Sequence, residues 1–541
     1  MALDLTPEQK ATGTGNFNRV VGKLAGADQH PFPTRRDFMK GLIGGAAALP
    51  LTAAAYYGYN LASVRGRPVR AGLIGCGDEG GVLTSEHNPE FVNIVAVSDI
   101  RPTNLDRIFV GEGISSRRKG LNYFYGGNSR RNEIKIHEKY QDLLDDPSIE
   151  MVIIALPLNL HYRAVMDALA KKKHVLCEKL MAWSIQQCKE MIREADKQDC
   201  LLSIGHQRHY SMLYAHANEV VQSGVLGDIR HIRALWHRNN TNNPRQVTEG
   251  GRTFTAYGND GWRKEVPAAD RQALSDPEKL RAYGWDSVEQ LVRWRLFRRT
   301  GGGLMAELGS HQLDATSIFL RKKQPLSVTG IGGKHFYDDE REVEDHVYCT
   351  FEFPGKNYDP RIRPRDESGN CLHNDIVTVT YSSVSTNGFE AYGECVMGSR
   401  GTMVVEREQA AYLYGLQGRS TEVTATTAGG RPALDASAST APAEKRAGDV
   451  GAASVGSNVS YGYREEMEHL AYLIRNREGA NAADRANLKP RCDGRAAMAD
   501  AIMALTSNIA MRLQRRVEFK EEWYDASKDD TPERDLLERN T

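Results

Sequence analysis

The side chains best suited to chemistry fall in two short segments. Glu178-Lys179 ends an apolar run at residues 174–177, where packing alone gives no reason for a charged pair. The second segment, GGGLMAELGSHQLD at residues 301–314, reads as a glycine-rich start to a helix. In that helix Glu307, His311 and Asp314 stand at i, i+4 and i+7, so one face presents all three. A histidine flanked by two carboxylates is expected to have a raised pKa and a fixed tautomer. A buried structural ion pair is the competing reading. The three glycines can bring backbone close to a ligand.

A third segment is a nucleotide signature. Gly75-Cys76-Gly77-Asp78-Glu79-Gly80 is a GxGxxG run directly after an apolar strand pattern, and Asp99 ends the next such pattern 19 residues past Gly80. In that context Gly75 allows the tight turn, Gly77 lets backbone approach a pyrophosphate, and Gly80 permits close helix–strand packing. The helix start supplies N–H donors and a positive dipole end to phosphates. Asp99 can accept hydrogen bonds from both hydroxyls of an adenosine ribose and repels a 2′-phosphate, which favours NAD. Arg101 could turn toward such a phosphate, so NADP stays open. Leu156, Pro157, Asn159 and His161 follow a third apolar run, at a strand edge that borders the cofactor crevice of such folds, as do Glu178 and Lys179. Asn159 and His161 equally suit capping of the helix that follows.

Positioning these residues requires an alternating scaffold. Residues 69–75, 91–98, 151–156, 174–177 and 201–205 read as short buried strands, with helical periodicity over 160–172 and 184–198 between them. That pattern predicts an α/β fold, a doubly wound parallel sheet of the Rossmann type over residues 66–206. Beyond Gly205, residues 229–237, 326–331, 346–353, 376–382, 391–397 and 402–406 read as strands without helices between them. They predict an α+β domain with a largely antiparallel open sheet over 207–525, interrupted by a helix at 304–320, closed by helices at 464–475 and 491–514, and followed by a tail at 526–541. Four stretches look inserted: 111–131, 239–289, 354–374 and 420–460, the last rich in Ala, Thr, Gly and Ser and expected to be disordered.

ALPLNLHYRAVMDALAKKKHVLCEKL at 155–180, GHQRHYS at 205–211 and the segment at 301–314 together resemble the glucose–fructose oxidoreductase / inositol dehydrogenase (Gfo/Idh/MocA) family, over about residues 66–525. The resemblance implies a Rossmann domain, a C-terminal sheet domain that covers the nicotinamide and often mediates assembly into a dimer or tetramer, and a catalytic lysine, aspartate and histidine. Lys179 matches the lysine and His311 the acid/base histidine. Glu307 stands where the family usually has aspartate, and Asp314 matches an acidic position one turn past the histidine. Leu180 replaces a usual proline, which implies a less rigid loop around Lys179. Tyr210, His209 and Trp236 are further candidates to line a carbohydrate site. The implied reaction is hydride transfer from a sugar or polyol carbon, with His311 taking the hydroxyl proton, Lys179 stabilising the alkoxide and Glu307 orienting substrate or His311.

Near the start, Thr34-Arg35-Arg36-Asp37-Phe38-Met39-Lys40 precedes an uncharged run at 41–64 that contains Ala53-Ala54-Ala55. The order resembles a twin-arginine export signal. It implies passage through the Tat translocase as a folded protein and a periplasmic location, or an uncleaved N-terminal membrane anchor. Residues 1–33 read as a disordered leader. An exported member has no dependable pool of free nicotinamide, so its cofactor is expected to stay tightly bound and be regenerated within its own cycle. Coupled oxidation and reduction of two sugars fits this. So does transient oxidation that assists glycoside cleavage or epimerisation, although Glu178-Lys179 favours plain redox. A non-catalytic NAD- or sugar-binding module is the third alternative.

Composition sets the bounds. The 541 residues carry 70 Lys+Arg against 70 Asp+Glu, which lacks the basic surplus of a nucleic-acid binder and fits a neutral carbohydrate better than a polyanion. The hydrophobic share of 40% argues against a polytopic membrane protein. Eight scattered cysteines without a CxxC pair read mainly as buried thiols. No His or Cys spacing suggests a metal site.

Overall fold

The computed structural model describes residues 5–25, 66–112, 118–126, 133–415, 424–428, 431–435 and 461–538. The twin-arginine pattern and the run at 41–64 lie outside the described residues, as does most of 420–460. Six strands form the first sheet: β1 (Val69–Ile74), β2 (Val92–Ser98), β3 (Lys135–His137), β4 (Met151–Ile154), β5 (His174–Glu178) and β6 (Leu202–Gly205). Their order is β3-β2-β1-β4-β5-β6 and every pairing is parallel. Five of the six are legible as apolar runs. β3 is not, because its three residues are exposed or half-buried at the sheet edge.

The helices that matter here are α1 (Pro7–Ala25), α2 (Asp78–Glu86), α3 (Leu158–Ala170), α4 (Ile185–Gln198), α5 (Ser310–Phe319), α6 (Tyr463–Arg477) and α7 (Gly494–Leu513). The second domain holds β7 (Ile229–His237), the hairpin β8 (Pro244–Glu249) and β9 (Arg252–Tyr257), β10 (Ser327–Gly333), β11 (His346–Pro354), β12 (Ile376–Val384), β13 (Tyr392–Gly398), β14 (Gly401–Glu406), β15 (Ala410–Gly415), the hairpin β16 (Thr424–Ala428) and β17 (Arg431–Asp435), and β18 (Val517–Glu518). Eight of these make the main sheet, in the order β15-β14-β13-β7-β12-β11-β10-β18. All its pairings are antiparallel except β7 with β12. Burial alternates along β11 and β12, with the inward residues Val347, Cys349, Phe351, Val377, Val379 and Tyr381 in one core with α5 and α7.

Three boundaries read from sequence need correction. Within the stretch expected to be a disordered leader, residues 7–25 are helical and pack on β15. Phe17, Val20 and Val21 are buried, Asn16 Nδ2 donates to the Leu413 carbonyl at 3.0 Å, and Lys10 pairs with Glu406 at 2.8 Å. Gly13, which reads as loop composition, is instead a close approach, since a Cβ there would overlap Tyr412 and Tyr414. Second, α6 belongs to the first sheet: Met467, Leu470, Ala471 and Ile474 pack with Val69, Leu73 and Val92. The chain therefore returns to the first domain, and 207–525 is not one body.

Third, residues 522–533, which include the first part of the expected tail, are docked on α4. The fully buried Lys189 ammonium donates to the carbonyls of Glu522, Lys528 and Asp530 at 2.9, 3.0 and 2.7 Å, and Glu533 accepts from Ile185 N at 2.9 Å. Among the described residues no helix is long and apolar enough to cross a membrane. Lys189→Ala leaves three buried carbonyls without a donor and is expected to lower unfolding stability by about 3 kcal/mol in chemical denaturation. A change under about 1 kcal/mol would show that water replaces the ammonium.

Candidate active site

A cavity of about 920 Å³ opens at the carboxyl ends of β1, β2, β4 and β5, where the strand order reverses. Gly75, Gly77, Asp78, Glu79, Asp99, Arg101, Leu156, Pro157, Glu178, Lys179 and Glu307 line it. Gly75 has φ of +93°, and a Cβ there would overlap the Ala155 carbonyl; one on Gly80 would overlap the Gly75 carbonyl. Gly77, by contrast, faces open space: the nearest atom to a Cβ there would be Asn104 Nδ2 at 3.9 Å. Gly77 is also the N-cap of α2, with no side chain bonded to the helix's first N–H groups. Asp99 follows β2 and accepts from Cys76 N and Arg101 N, both at 2.8 Å, and from Asn104 Nδ2 at 3.0 Å. Burial raises its pKa and those hydrogen bonds oppose the rise. A carboxylate retains acceptor capacity beyond three bonds. An open glycine cradle, an uncapped helix start and a carboxylate one strand away fit a dinucleotide.

Several residues expected around the cofactor serve the scaffold instead. Cys76 contributes its backbone only, because its side chain is buried. Gly80 packs α2 against the Gly75 turn, the role its spacing in the run predicts. Asn159 donates its N–H to the Thr300 carbonyl at 3.3 Å and does not line the cavity. The buried His161 bridges two loops, with Nδ1 at 2.9 Å from the Leu180 carbonyl and Nε2 at 2.8 Å from the Leu156 carbonyl. That bridge, together with burial of the Leu180 side chain, anchors the loop after β5 without a proline. The Lys179–Leu180 peptide is cis.

The chemical centre joins the two domains. Lys179 Nζ donates to the main-chain carbonyl of Glu307 at 3.0 Å, and Glu307 Oε2 accepts from Arg295 Nε at 2.6 Å. Burial pushes the Glu307 carboxyl up, but Arg295 and Lys179 outweigh it and hold it below the usual range. Glu307 lies on a π turn, Met305–Gly309, that leads into α5. The wider turn breaks the i, i+4 phase, so the expected common face for Glu307, His311 and Asp314 does not form. Burial first, then Lys179 and Arg208, hold the His311 imidazole well below its ordinary value, and Asp314 opposes this only in part. This reverses the raised pKa expected from sequence, because cations and low dielectric, not carboxylates, dominate its surroundings.

Asp314 faces away from the cavity. It accepts from His209 Nε2 at 2.6 Å and lies 3.4 Å from Lys322 Nζ. Asp314, Asp500 and His206 place ligand atoms within 4.8 Å of one another, as a metal site would. The Lys322 ammonium, 3.9 Å from Asp500, already supplies a cation there. Neither Asp314 nor His209 lines the cavity, and Tyr210 is fully buried against Ser203 at 3.2 Å. Their neighbour Arg208 is the residue of that motif that reaches the site. Buried between Glu394 (3.0 Å) and Glu408 (2.6 Å), it also donates to the His311 carbonyl. Trp236 stays a site candidate, half-buried with its ring 5.3 Å from His311 and stacked on Tyr392 at 4.4 Å. The glycines at 301–303 do not line the cavity; Gly301 packs on the turn at Trp294-Arg295.

Sequence reasoning missed the far wall. It comes from the inserted stretch and the turns after it, through Lys264, Pro267, Lys279, Tyr283, Trp285, Leu291 and Arg295. Lys264 pairs with Asp78. Fully buried Asp270 accepts from Arg101 Nε at 2.8 Å and from Thr103 N at 3.1 Å. Glu138 accepts from Tyr283 Oη at 2.7 Å and Lys279 at 2.6 Å, while Trp285 and Leu291 pack in an apolar cluster with Ile100 and Leu160. The aromatic residues dotted through 239–289 were the available signal.

Residues 69–206 match the NAD-binding Rossmann-fold domain of the Gfo/Idh/MocA oxidoreductase family, and residues 269–358 match that family's C-terminal domain. The chain carries both domains of the Gfo/Idh/MocA family. Curated relatives include a scyllo-inositol 2-dehydrogenase (NADP⁺) of Bacillus subtilis, 26% identical over 42% of this chain and 51% of the relative. Another is an inositol 2-dehydrogenase/D-chiro-inositol 3-dehydrogenase of Lactiplantibacillus plantarum, 28% identical over 25% of this chain and 34% of the relative. An uncharacterised oxidoreductase of Streptococcus pneumoniae is 24% identical over 41% and 48%. The chain thus spans about half the length, or less, of these curated relatives. Among solved structures, an aldose-aldose oxidoreductase from Caulobacter crescentus complexed with glycerol shares the fold at 17% identity and a TM-score of 0.50, over 84% of this chain and 100% of that one. A levoglucosan dehydrogenase, in complex with NADH and levoglucosan, shares it at 13% identity and 0.51, over 84% and 98%.

Gly80→Ala forces α2 away from the turn at Gly75. NADH binding, followed by fluorescence, is expected to weaken at least about tenfold, since a packed interior does not absorb an added methyl freely. Unchanged affinity would show that the glycine run does not cradle the dinucleotide.

Proposed function

We propose that this Gfo/Idh/MocA oxidoreductase is NAD-dependent and moves hydride between a retained nicotinamide cofactor and a hydroxyl-bearing carbon of a sugar or polyol. The observation that carries the reading is the Lys179 ammonium, which lines the cavity at the end of β5 beside the open glycine cradle and rests on the Glu307 carbonyl; His311 does not line the cavity but lies near enough to feel the Lys179 charge. When bound, the nicotinamide supplies the hydride acceptor. His311, held neutral by burial and by Lys179, is the base for the hydroxyl proton. Lys179 places a fixed positive charge where the substrate oxygen becomes negative. Glu307 holds Arg295 and offers its carbonyl to Lys179, which sets the height of the ammonium in the cavity. Sugars and inositols enter as the substrate class from the names of the relatives and the family resemblance.

Preference for NAD is supported by Asp99 and by Arg101, whose Nε is committed to Asp270. Retention of the cofactor is supported by the far wall, which ties the insertion to the glycine loop through Lys264–Asp78 and to the ribose side through Asp270 and Tyr283. A retained cofactor suits a cycle that oxidises one sugar and reduces another, and it suits export as a folded protein, which the twin-arginine pattern supports.

The purified protein, once denatured, is expected to release nicotinamide cofactor detectable by absorbance and mass, and sugars are expected to change the nicotinamide absorbance of the native protein. Cleavage or epimerisation without net reduction would favour transient oxidation instead. Lys179→Ala is expected to lower sugar-dependent reduction about 10²-fold or more. Turnover near the native level would remove Lys179 from its role.

Because His311 acts as a base only when neutral and its pKa is depressed, sugar oxidation is expected to hold level through neutrality. It should fall only on the acid side of the ordinary histidine value of about 6.5. An acid limb above that value would contradict a neutral His311. Asp270→Ala frees Arg101 and is expected to shift the ratio of NADP to NAD affinity about tenfold toward NADP, an effect of one charge-assisted contact. An unshifted ratio would show that Arg101 does not face the 2′ position.

A further inference from the structure

The buried polar network behind the active site leaves four of its polar atoms without hydrogen-bond partners. His206 directly follows β6, Asp314 lies in α5 and Asp500 in α7. All three are buried, the two carboxylates completely. Each carboxylate spends one oxygen: Asp314 Oδ1 accepts from His209 Nε2 at 2.6 Å, and Asp500 Oδ1 accepts from Ser317 Oγ at 3.0 Å. The other oxygen of each, Oδ2, has no hydrogen-bond partner among the described residues, and neither ring nitrogen of His206 has one. Such orphaned atoms are rare in native interiors and call for a specific occupant.

Lys322 does not answer them. Its ammonium attends the spent side of the pair, 2.9 Å from Ser317 Oγ and 3.4 Å from Asp314 Oδ1. At 3.9 Å from Asp500 Oδ2 it is too far for a hydrogen bond. It is one positive charge against two carboxylates, and the buried Glu466 of α6 adds a third near enough to act on Asp314.

The unspent atoms have the spacing of a metal shell. One ligand atom from each of His206, Asp314 and Asp500 lies within 4.8 Å of the others, and His206 Nδ1 stands 4.0 Å from Asp314 Oδ2. Nitrogen and oxygen ligands that share one ion at about 2.1 Å stand roughly 3 to 4.2 Å apart, so an ion fits between these two atoms. One imidazole with two carboxylates suits zinc better than calcium, which favours oxygen alone. A buried shell needs no open channel, because an ion of this kind binds as the chain folds.

We propose that His206, Asp314 and Asp500 hold a divalent transition metal, zinc above all, in a structural site that fastens α5 and α7 to the turn after β6. The ligands come from three distant parts of the chain, so no spacing motif announces them. The site goes beyond the redox chemistry proposed above and does not rest on it. It fixes α5 one turn beyond His311.

The test is metal analysis of the purified full chain by plasma mass spectrometry, then calorimetric titration of the chelator-treated protein with zinc chloride and with calcium chloride. About one zinc per chain is expected to bind, more tightly than calcium. Chelation is expected to lower the melting temperature by several degrees, and zinc to restore it. Asp500→Asn keeps the side-chain shape and an acceptor for Ser317, yet is expected to weaken zinc binding at least about a hundredfold. His206→Ala is expected to weaken it similarly.

A purified chain without metal that also takes up no zinc after chelation overturns the proposal and leaves a proton shared by the two carboxylates. In that case Asp500→Asn raises the melting temperature, since it removes the repulsion of the pair. Zinc affinity unchanged in both variants overturns it too, by placing the ion elsewhere, as does calcium binding tighter than zinc. None of these readouts depends on turnover, so failure of the metal site and failure of the redox function are told apart.

Discussion

One contact ties the halves of the active site together: the Lys179 ammonium, presented by the first sheet, rests on the Glu307 carbonyl of the second domain. A lysine is a compact charge on a flexible stem, so its position must be set from outside. His161 sets it from below by clamping the loops after β4 and β5. The π turn sets it from above, by turning a main-chain carbonyl toward the ammonium while the Glu307 side chain goes to Arg295. Burial first, and then the same ammonium with buried Arg208 behind α5, holds the His311 imidazole well below its ordinary value.

Around that contact the cavity is built from three separated parts of the chain. The glycine loop is tight where backbone meets backbone, at Gly75 and Gly80, and open where a phosphate must enter, at Gly77. The insertion then closes the cavity beside the glycine loop and the helix after Asp99 with ion pairs and a small apolar cluster. Buried Asp270 is the pivotal residue of that wall, since it accepts from both Arg101 and Thr103 of the opposite domain.

Asp314 shows how far helical spacing can be trusted. Read on an ideal helix, Glu307, His311 and Asp314 form one face. In the folded chain the π turn shifts the phase, and Asp314 joins His209, Lys322 and Asp500 in a buried polar network behind the site. The motif at 205–211 misleads in the same way. His209 and Tyr210 look like ligand-lining groups, but Arg208, just before them, is the one that reaches the His311 carbonyl, because the short turn after β6 points it inward between Glu394 and Glu408.

The sequence by itself determined the two-domain plan, five of the six parallel strands and the glycine loop followed by Asp99, and it singled out Lys179 and His311 as candidates. These are local signals: apolar runs, glycine spacing and charges at strand ends are written in neighbouring residues. Only the tertiary structure decided the depressed pKa of His311, the return of α6 to the first sheet, the docking of α1 on β15 and the wall built by the insertion. Each of these is set by groups far apart in the chain that meet in a medium of low dielectric, where the partner, or its absence, decides what a charge does.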